Sequence, residues 1–167
     1  MVQVFLLFSC RTSTIHPAGE VKDFFAQLDD SSLVKDHFML VDSVQYDSWK
    51  QIFTTYALQD SSLARPDIDF MAAQMEVADQ EVWTPDTFDS ASIISKHYVD
   101  SLSKFCAAGH RPHYYIFSKP YFSRDKNYCV LFYNYYVGRN CAETSLRLYR
   151  KDRGKWLYVK SYFSIVS

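Results

Sequence analysis

Cys106, His110 and His113 fall within eight positions of one another, and Cys129 and Cys141 follow further along the chain. Thiolate and imidazole are the ligands of a tetrahedral Zn²⁺ site. The spacing matches no zinc finger, and Arg111 between the two histidines would set a guanidinium against the cation, so these residues read as loop histidines and buried thiols. No metal and no cofactor are expected. Cys141 with one of these histidines also has the composition of a nucleophile and its base, but no Gly-x-Ser-x-Gly, His-Glu-x-x-His or phosphate-binding loop accompanies it. A Cys hydrolase is therefore only a third reading, and the chain is expected not to be an enzyme. Asp67 and Asp69 have the make-up of an acid–base pair, yet they flank a helix start, where capping and the helix dipole account for them.

Lipid chemistry is the other candidate. Residues 1–10 read Met-Val-Gln-Val-Phe-Leu-Leu-Phe-Ser-Cys, too short an apolar run to span a bilayer, which takes about 20 residues. Its end, Leu7-Phe8-Ser9-Cys10, has the pattern of a lipobox: an aliphatic residue at −3, a small residue at −1 and the cysteine that would be acylated. The basic segment that opens a complete signal is missing. Two readings follow, a truncated lipoprotein signal over 1–10 with Cys10 as the lipidation site, which we take as the expectation, or a first β-strand from Val2 to Phe8. Without Cys10, three thiols remain, enough for one disulfide and no framework.

The third candidate is recognition by aromatic rings. The chain holds 13 Tyr, and those from Tyr114 onward interleave with Lys119, Arg147, Arg150 and Lys160. Rings with polar tips suit glycan stacking or a protein partner, and Tyr115, Tyr135, Arg147, Tyr149 and Lys160 are the expected binding surface. The plainer alternative is that tyrosine is a good strand residue.

The elements that must position these residues follow from period and punctuation. Val21, Phe24, Phe25 and Leu28 share a helical face over 19–28; a helix capped by Asp47 carries Trp49, Ile52, Phe53 and Tyr56; Pro66 opens another with Ile68, Met71, Ala72 and Met75 as its stripe. Residues 37–44 and 91–95 read as short strands and 98–107 as a short helix. From His113 the period changes to two, through 114–118, 127–137, 144–150 and 155–164, an antiparallel meander with turns at Arg124-Asp125-Lys126 and at Arg153-Gly154. The strand from Tyr128 to Val137 is apolar on both faces and is expected at the centre. The alternation of Arg147 with Leu146 and Leu148, and Lys160 after Val159, predicts a wet face on the later strands. Trp156 is expected to be a core anchor and Lys160 an exposed cation.

Charge divides the chain. Residues 1–103 hold 6 Lys/Arg against 16 Asp/Glu, and residues 104–167 hold 12 against 3, although the total is only −1. The bases occur in runs no longer than two, and an acidic half in the same domain would repel a polyanion, so nucleic acid is excluded in favour of complementarity within the fold.

The segment from Phe117 through Tyr128-Cys-Val-Leu-Phe-Tyr to Gly138, with Cys141, Ser145-Leu-Arg-Leu-Tyr and Gly154-Lys-Trp, resembles a family of uncharacterised, usually lipid-anchored proteins of Bacteroidetes-type bacteria. Asp67-x-Asp69-Phe-Met71-x-x-Gln74 and Ile93-Ile94-Ser95 are similar to its middle region. The resemblance implies an envelope location and brings no activity. It also implies that Val137 stands where the family has a loop cysteine, which leaves Cys141 without that partner.

The sequence thus predicts one α+β domain over 11–167, with N-terminal helices packed on a C-terminal antiparallel β-meander of about four strands. Its expected function is non-catalytic: a lipid-anchored protein of the cell envelope, periplasmic or outer-membrane, binding an unknown protein or glycan and meeting the membrane only through Cys10. The alternative is a small cytoplasmic interaction protein of the immunity type, whose acidic half covers a basic toxin.

Overall fold

A strand that is apolar on both faces cannot be content with one layer of cover, and the run Tyr128–Val137 is such a strand. The computed structural model describes residues 18–30, 33, 38–42, 49–78, 82–88, 91–105, 113–137 and 142–166. In chain order the elements are α1 (Ala18–Ala26), β1 (Leu28–Asp29), β2 (Phe38–Val41), α2 (Trp49–Ala57), α3 (Arg65–Ala78), β3 (Ala91–Ile94), α4 (Lys96–Phe105), β4 (His113–Phe117), β5 (Tyr121–Phe122), β6 (Tyr128–Val137), β7 (Ala142–Asp152) and β8 (Lys155–Val166). All eight strands join one curled sheet in the order β1-β8-β7-β6-β4-β2-β3, with β5 pairing β6 beyond the end of β4.

This architecture corrects the expected one of N-terminal helices on a four-stranded antiparallel meander. The sheet is mixed. Pairs β8–β7, β7–β6 and β6–β4 are antiparallel, whereas β1–β8, β4–β2 and β2–β3 are parallel. Three strands of the N-terminal half therefore extend the sheet at its two ends instead of leaving it to the C-terminal half.

The helices do not share one face. Phe53 and Ala57 of α2 and Ile68, Met71, Ala72 and Met75 of α3 pack with Val130, Phe132, Leu146, Leu148 and Tyr162. On the opposite face Val21 and Phe24 of α1, together with Trp83, pack with Leu131, Tyr133, Tyr149 and Trp156. Successive residues of β6 alternate between these two cores, as the period of a strand requires. The i, i+3, i+4, i+7 spacing of Ile68, Met71, Ala72 and Met75 gives α3 one buried stripe.

Polar side chains complete the backbone pairing where strands are short. Gln74 of α3 is buried and works like a piece of strand: its Nε2 donates to the Phe122 carbonyl at 2.7 Å, and its Oε1 accepts the Phe122 N–H at 3.1 Å. Ser118 bridges β4 to β5 by donating its N–H to the Phe132 carbonyl at 3.0 Å while its Oγ accepts the Phe132 N–H, also at 3.0 Å. The Trp83 indole N–H donates to the Phe117 carbonyl at 3.0 Å, holding the 82–88 segment against β4. At the β7–β8 hairpin Arg153 and Gly154 have φ of 48° and 82°, the left-handed pair that a two-residue turn demands.

Trp156 is 3% exposed and touches Phe24 and Phe122 at ring-centroid distances of 5.4 and 5.6 Å. Truncating such an indole costs about 3–5 kcal/mol out of the roughly 5–15 kcal/mol that holds a domain together. Urea denaturation should show Trp156→Ala losing about 3–5 kcal/mol, whereas Val166→Ala, at 77% exposure, should stay within about 0.5 kcal/mol. Equal midpoints for the two variants would show that α1 is not clamped to the sheet through this ring.

Candidate functional site

An arginine inside a sheet must bring its counter-charges with it, because an unpaired guanidinium out of water is too costly to keep. Arg147 on β7 is 8% exposed, which corrects the expectation of a wet face there. Its Nη1 donates to Asp30 Oδ2 at 2.9 Å, and its Nη2 donates to the Tyr133 hydroxyl at 2.7 Å and to Glu143 Oε1 at 3.3 Å. The Tyr149 hydroxyl donates to the same Asp30 oxygen at 2.9 Å, and the Tyr133 hydroxyl donates to Glu143. The guanidinium also lies 4.3 Å from the Tyr133 ring centre, in cation–π geometry.

The electrostatics of this cluster fix the state of its arginine and its two phenols. Burial, the two carboxylates and the hydrogen bonds they accept push the Tyr133 and Tyr149 phenols far above their ordinary value. Burial alone would lower the Arg147 pKa, but Tyr149, Tyr133 and Asp30 outweigh it and hold the guanidinium charged. A charged guanidinium and two protonated phenols result, joined by hydrogen bonds to Asp30 and Glu143.

The expected binding residues do not form one surface. Arg147 and Tyr149 lie in the cluster, Tyr149 fully buried. Tyr115 and Tyr135 form a stacked pair across β4 and β6, 4.5 Å apart at 21°, half-buried on the same face as Arg147. Lys160 belongs to the other face, in an ion pair with Asp60 and a 3.3 Å bond to Ser62 Oγ. It is thus not a free cation. A second stacked pair, Tyr114 with Tyr136, lies beside the first at 4.8 Å and 19° and was not in the expected set. The register shows why both exist: Tyr114 pairs with Tyr136 and Tyr115 with Tyr135 in the antiparallel ladder, so successive tyrosines stack on opposite faces. His113 Nδ1 adds a 2.9 Å bond to the Tyr135 hydroxyl.

Cys10, Cys106, His110 and Cys141 lie outside the described residues. Cys129 is a buried free thiol whose pKa burial raises well above the ordinary value, which keeps it protonated and unreactive. Among the described residues no cluster of three or more His, Cys, Asp or Glu is placed to hold a metal ion. Asp67 accepts the Arg124 N–H at 3.2 Å and Asp69 accepts Arg65 Nε at 2.9 Å, so both carboxylates are engaged at the α3 start. No helix among the described residues is long and apolar enough to cross a membrane. No protein-family model matches the chain, and neither a curated protein nor a solved structure does.

Sequence reasoning missed Asp30. It sits 117 positions from Arg147, and the only local signal was a pair of acids after a helix, which reads as a turn. Breaking a buried pair by removing one partner costs about 3–5 kcal/mol, because the survivor is left charged in the interior. Asp30→Asn and Arg147→Met should each show a loss of that order in chemical denaturation, and the double variant should lose clearly less than the two together. Additive losses would mean that the two side chains stabilise the sheet independently.

The Asp60 carboxyl offers a separate check. Burial would raise its pKa, but Lys160, the Ser62 N–H and hydroxyl, and Tyr162 together hold it at about 2, below its ordinary 3.8. A depressed carboxyl stabilises the fold fully above its unfolded value, and that contribution is lost as pH falls through about 2. Removing the amine in Lys160→Met should raise the Asp60 titration midpoint seen by carboxyl NMR and shift acid unfolding to higher pH, with a stability loss of about 1–3 kcal/mol at neutral pH. An unmoved Asp60 midpoint would remove Lys160 from the cluster.

Proposed function

We propose that the chain is a non-catalytic binding protein of the cell envelope, tethered through acylated Cys10, that engages a protein partner through the tyrosine-bearing end of its sheet. The observation that carries this reading is the pair of cross-strand stacks at one end of β4 and β6, Tyr115–Tyr135 on one face of the sheet and Tyr114–Tyr136 on the other, all four rings half-buried. Tyrosine is enriched in protein interfaces because one ring supplies apolar area and a polar tip at small entropic cost.

Between the two partner classes expected, the ring geometry favours protein. A sugar needs an open aromatic face for its C–H groups. Tyr115 has Tyr135, Phe38 and Phe117 against it, and Tyr135 has Tyr115 and His113. Both rings of this pair thus already have aromatic neighbours, and the His113–Tyr135 bond adds a polar tip of the kind that protein interfaces use for hydrogen bonds. The absence of catalysis is supported by the state of the ionisable groups on this face, since Arg147, Asp30 and Glu143 are satisfied by one another and by phenols held protonated. The anchor is supported by Leu7-Phe8-Ser9-Cys10.

A photo-crosslinking residue placed at exposed His113, on the same face as Tyr115 and Tyr135, should give a discrete protein adduct in the native host, and the same residue at Val166 should not. Tyr115→Ala with Tyr135→Ala should weaken that partner by about tenfold or more, with the unfolding transition still cooperative. In the same cells Cys10→Ala should move the protein from the detergent phase to the aqueous phase. Binding to envelope oligosaccharides without any protein adduct would replace the protein partner by a glycan, and an aqueous wild type would remove the anchor.

A further inference from the structure

At the opposite end of β6 from the stacked tyrosines, α1 stands off the two hairpins of the sheet and leaves a cleft of about 220 Å³. That space is below the range of about 300–1,000 Å³ that drug-sized ligands occupy, which limits the occupant to a small molecule. The buried rings of Phe24, Phe122 and Trp156 line its floor.

The walls are of opposite sign. Glu20 and Asp23 come from α1, while Lys126 and Lys151 come from the hairpins. Glu20 and Lys126 neutralise each other in an ion pair that closes part of the rim. Asp23 and Lys151 are both exposed, and neither is in an ion pair among the described residues. Lys151 Nζ lies 5.5 Å from the Trp156 ring centre, so its charge is held at the edge of the floor.

Gln27 supplies the most telling feature. Its Oε1 is buried and has no hydrogen-bond partner among the described residues, although it lines the cleft. A buried acceptor left without a donor costs about 1–3 kcal/mol, which a donor arriving in the cleft would relieve. The Gln27 N–H bonds back to the Asp23 carbonyl at 3.1 Å, so Asp23 and Gln27 rise on the same side of the helix end, one turn apart. The C-terminal end of a helix carries partial negative charge, which also favours a cation there.

A ligand with a single charge would satisfy either Asp23 or Lys151 and leave the other facing it. We propose that this cleft binds a small zwitterion, a free α-amino acid with an apolar side chain being the simplest. Its ammonium sits on Asp23 and Gln27 Oε1, its carboxylate on Lys151, and its side chain against the accessible edges of Phe122 and Trp156. The site is separate from the tyrosine end of the sheet and does not depend on what binds there.

The test is an NMR titration of the isotope-labelled full chain with L-leucine, L-leucinamide and N-acetyl-L-leucine. L-Leucine should saturate shifts of the Trp156 indole and the Gln27 side-chain amide, whereas the two blocked forms, each lacking one charge, should bind roughly tenfold to a hundredfold more weakly. Asp23→Asn should erase the preference for leucine over N-acetyl-leucine, and Lys151→Met the preference over leucinamide. Both residues are exposed, so unchanged unfolding midpoints certify that the variants are folded. Failure of leucine to shift these signals at millimolar concentration, or equal binding of all three compounds, overturns the proposal.

Discussion

The constraint on which the fold depends is that β6 has no wet side. Cys129, Leu131 and Tyr133 face one core while Val130 and Phe132 face the other, and all are essentially sealed from water. A strand of this kind requires cover above, below and along both edges. The chain meets that demand with α2 and α3 on one face, α1 and the Trp83 segment on the other, β7 along one edge and β4 followed by β5 along the second. Splitting the helices between faces is therefore a consequence of one ten-residue sequence rather than a separate design choice.

The second organising force is charge. Four ion pairs among the described residues join an acid of the N-terminal half to a base of the C-terminal half: Glu20–Lys126, Asp29–Lys155, Asp30–Arg147 and Asp60–Lys160. They have different physical weight. Asp29–Lys155, with both side chains more than half exposed, contributes about 0–1 kcal/mol, as surface pairs do. Asp30–Arg147 is sealed, and its value lies in specificity: only one placement of β1 brings Asp30 under Arg147, since a slip by one residue would turn the carboxylate away. The opposite charges of the two halves thus serve to dock the N-terminal segments onto the sheet. An immunity-type reading needs that acidity for a partner, and four of its carboxylates are already engaged within the chain.

How far the sequence could be read follows from the range of the forces involved. Helical stripes, the Arg153-Gly154 turn and the central position of β6 are set by neighbours within a few residues, and period and turn chemistry reveal them. The two-residue strands β1 and β5 have no period to detect, and their partners lie across long stretches of chain. The parallel pairing of β2 with β3 and β4 is likewise invisible locally, because 38–41 and 91–94 look like any short apolar runs. The apolarity of β6 on both faces was legible and implied cover on both sides. Placing all helices on one face neglected that implication. At the candidate site the tyrosines could be named from the sequence, but the face each occupies could not, since a strand with bulges does not keep strict alternation. Lys160 shows this most clearly.

Those bulges also bear on how a partner can approach the sheet. The β7–β8 ladder shifts register between Leu146 and Arg147 and again between Leu148 and Tyr149. Each shift carries an extra residue on β8 and turns its outer N–H and C=O groups out of phase. Among the described residues β1 pairs with β8 at Trp156 and Leu157, and beyond them Val159, Ile165 and Val166 are exposed along that strand. A regular edge of that kind invites strand addition and aggregation; an edge broken twice in nine residues does not hold a continuous ladder. The other end of the sheet, β3, is only four residues long and cannot anchor an extended peptide firmly. Neither edge among the described residues thus suits strand addition, which leaves side chains as the means of contact in the reading proposed above. Among those, the tyrosines at the end of β4 and β6 are paired rather than scattered singly, with Tyr115–Tyr135 stacked on one face and Tyr114–Tyr136 on the other.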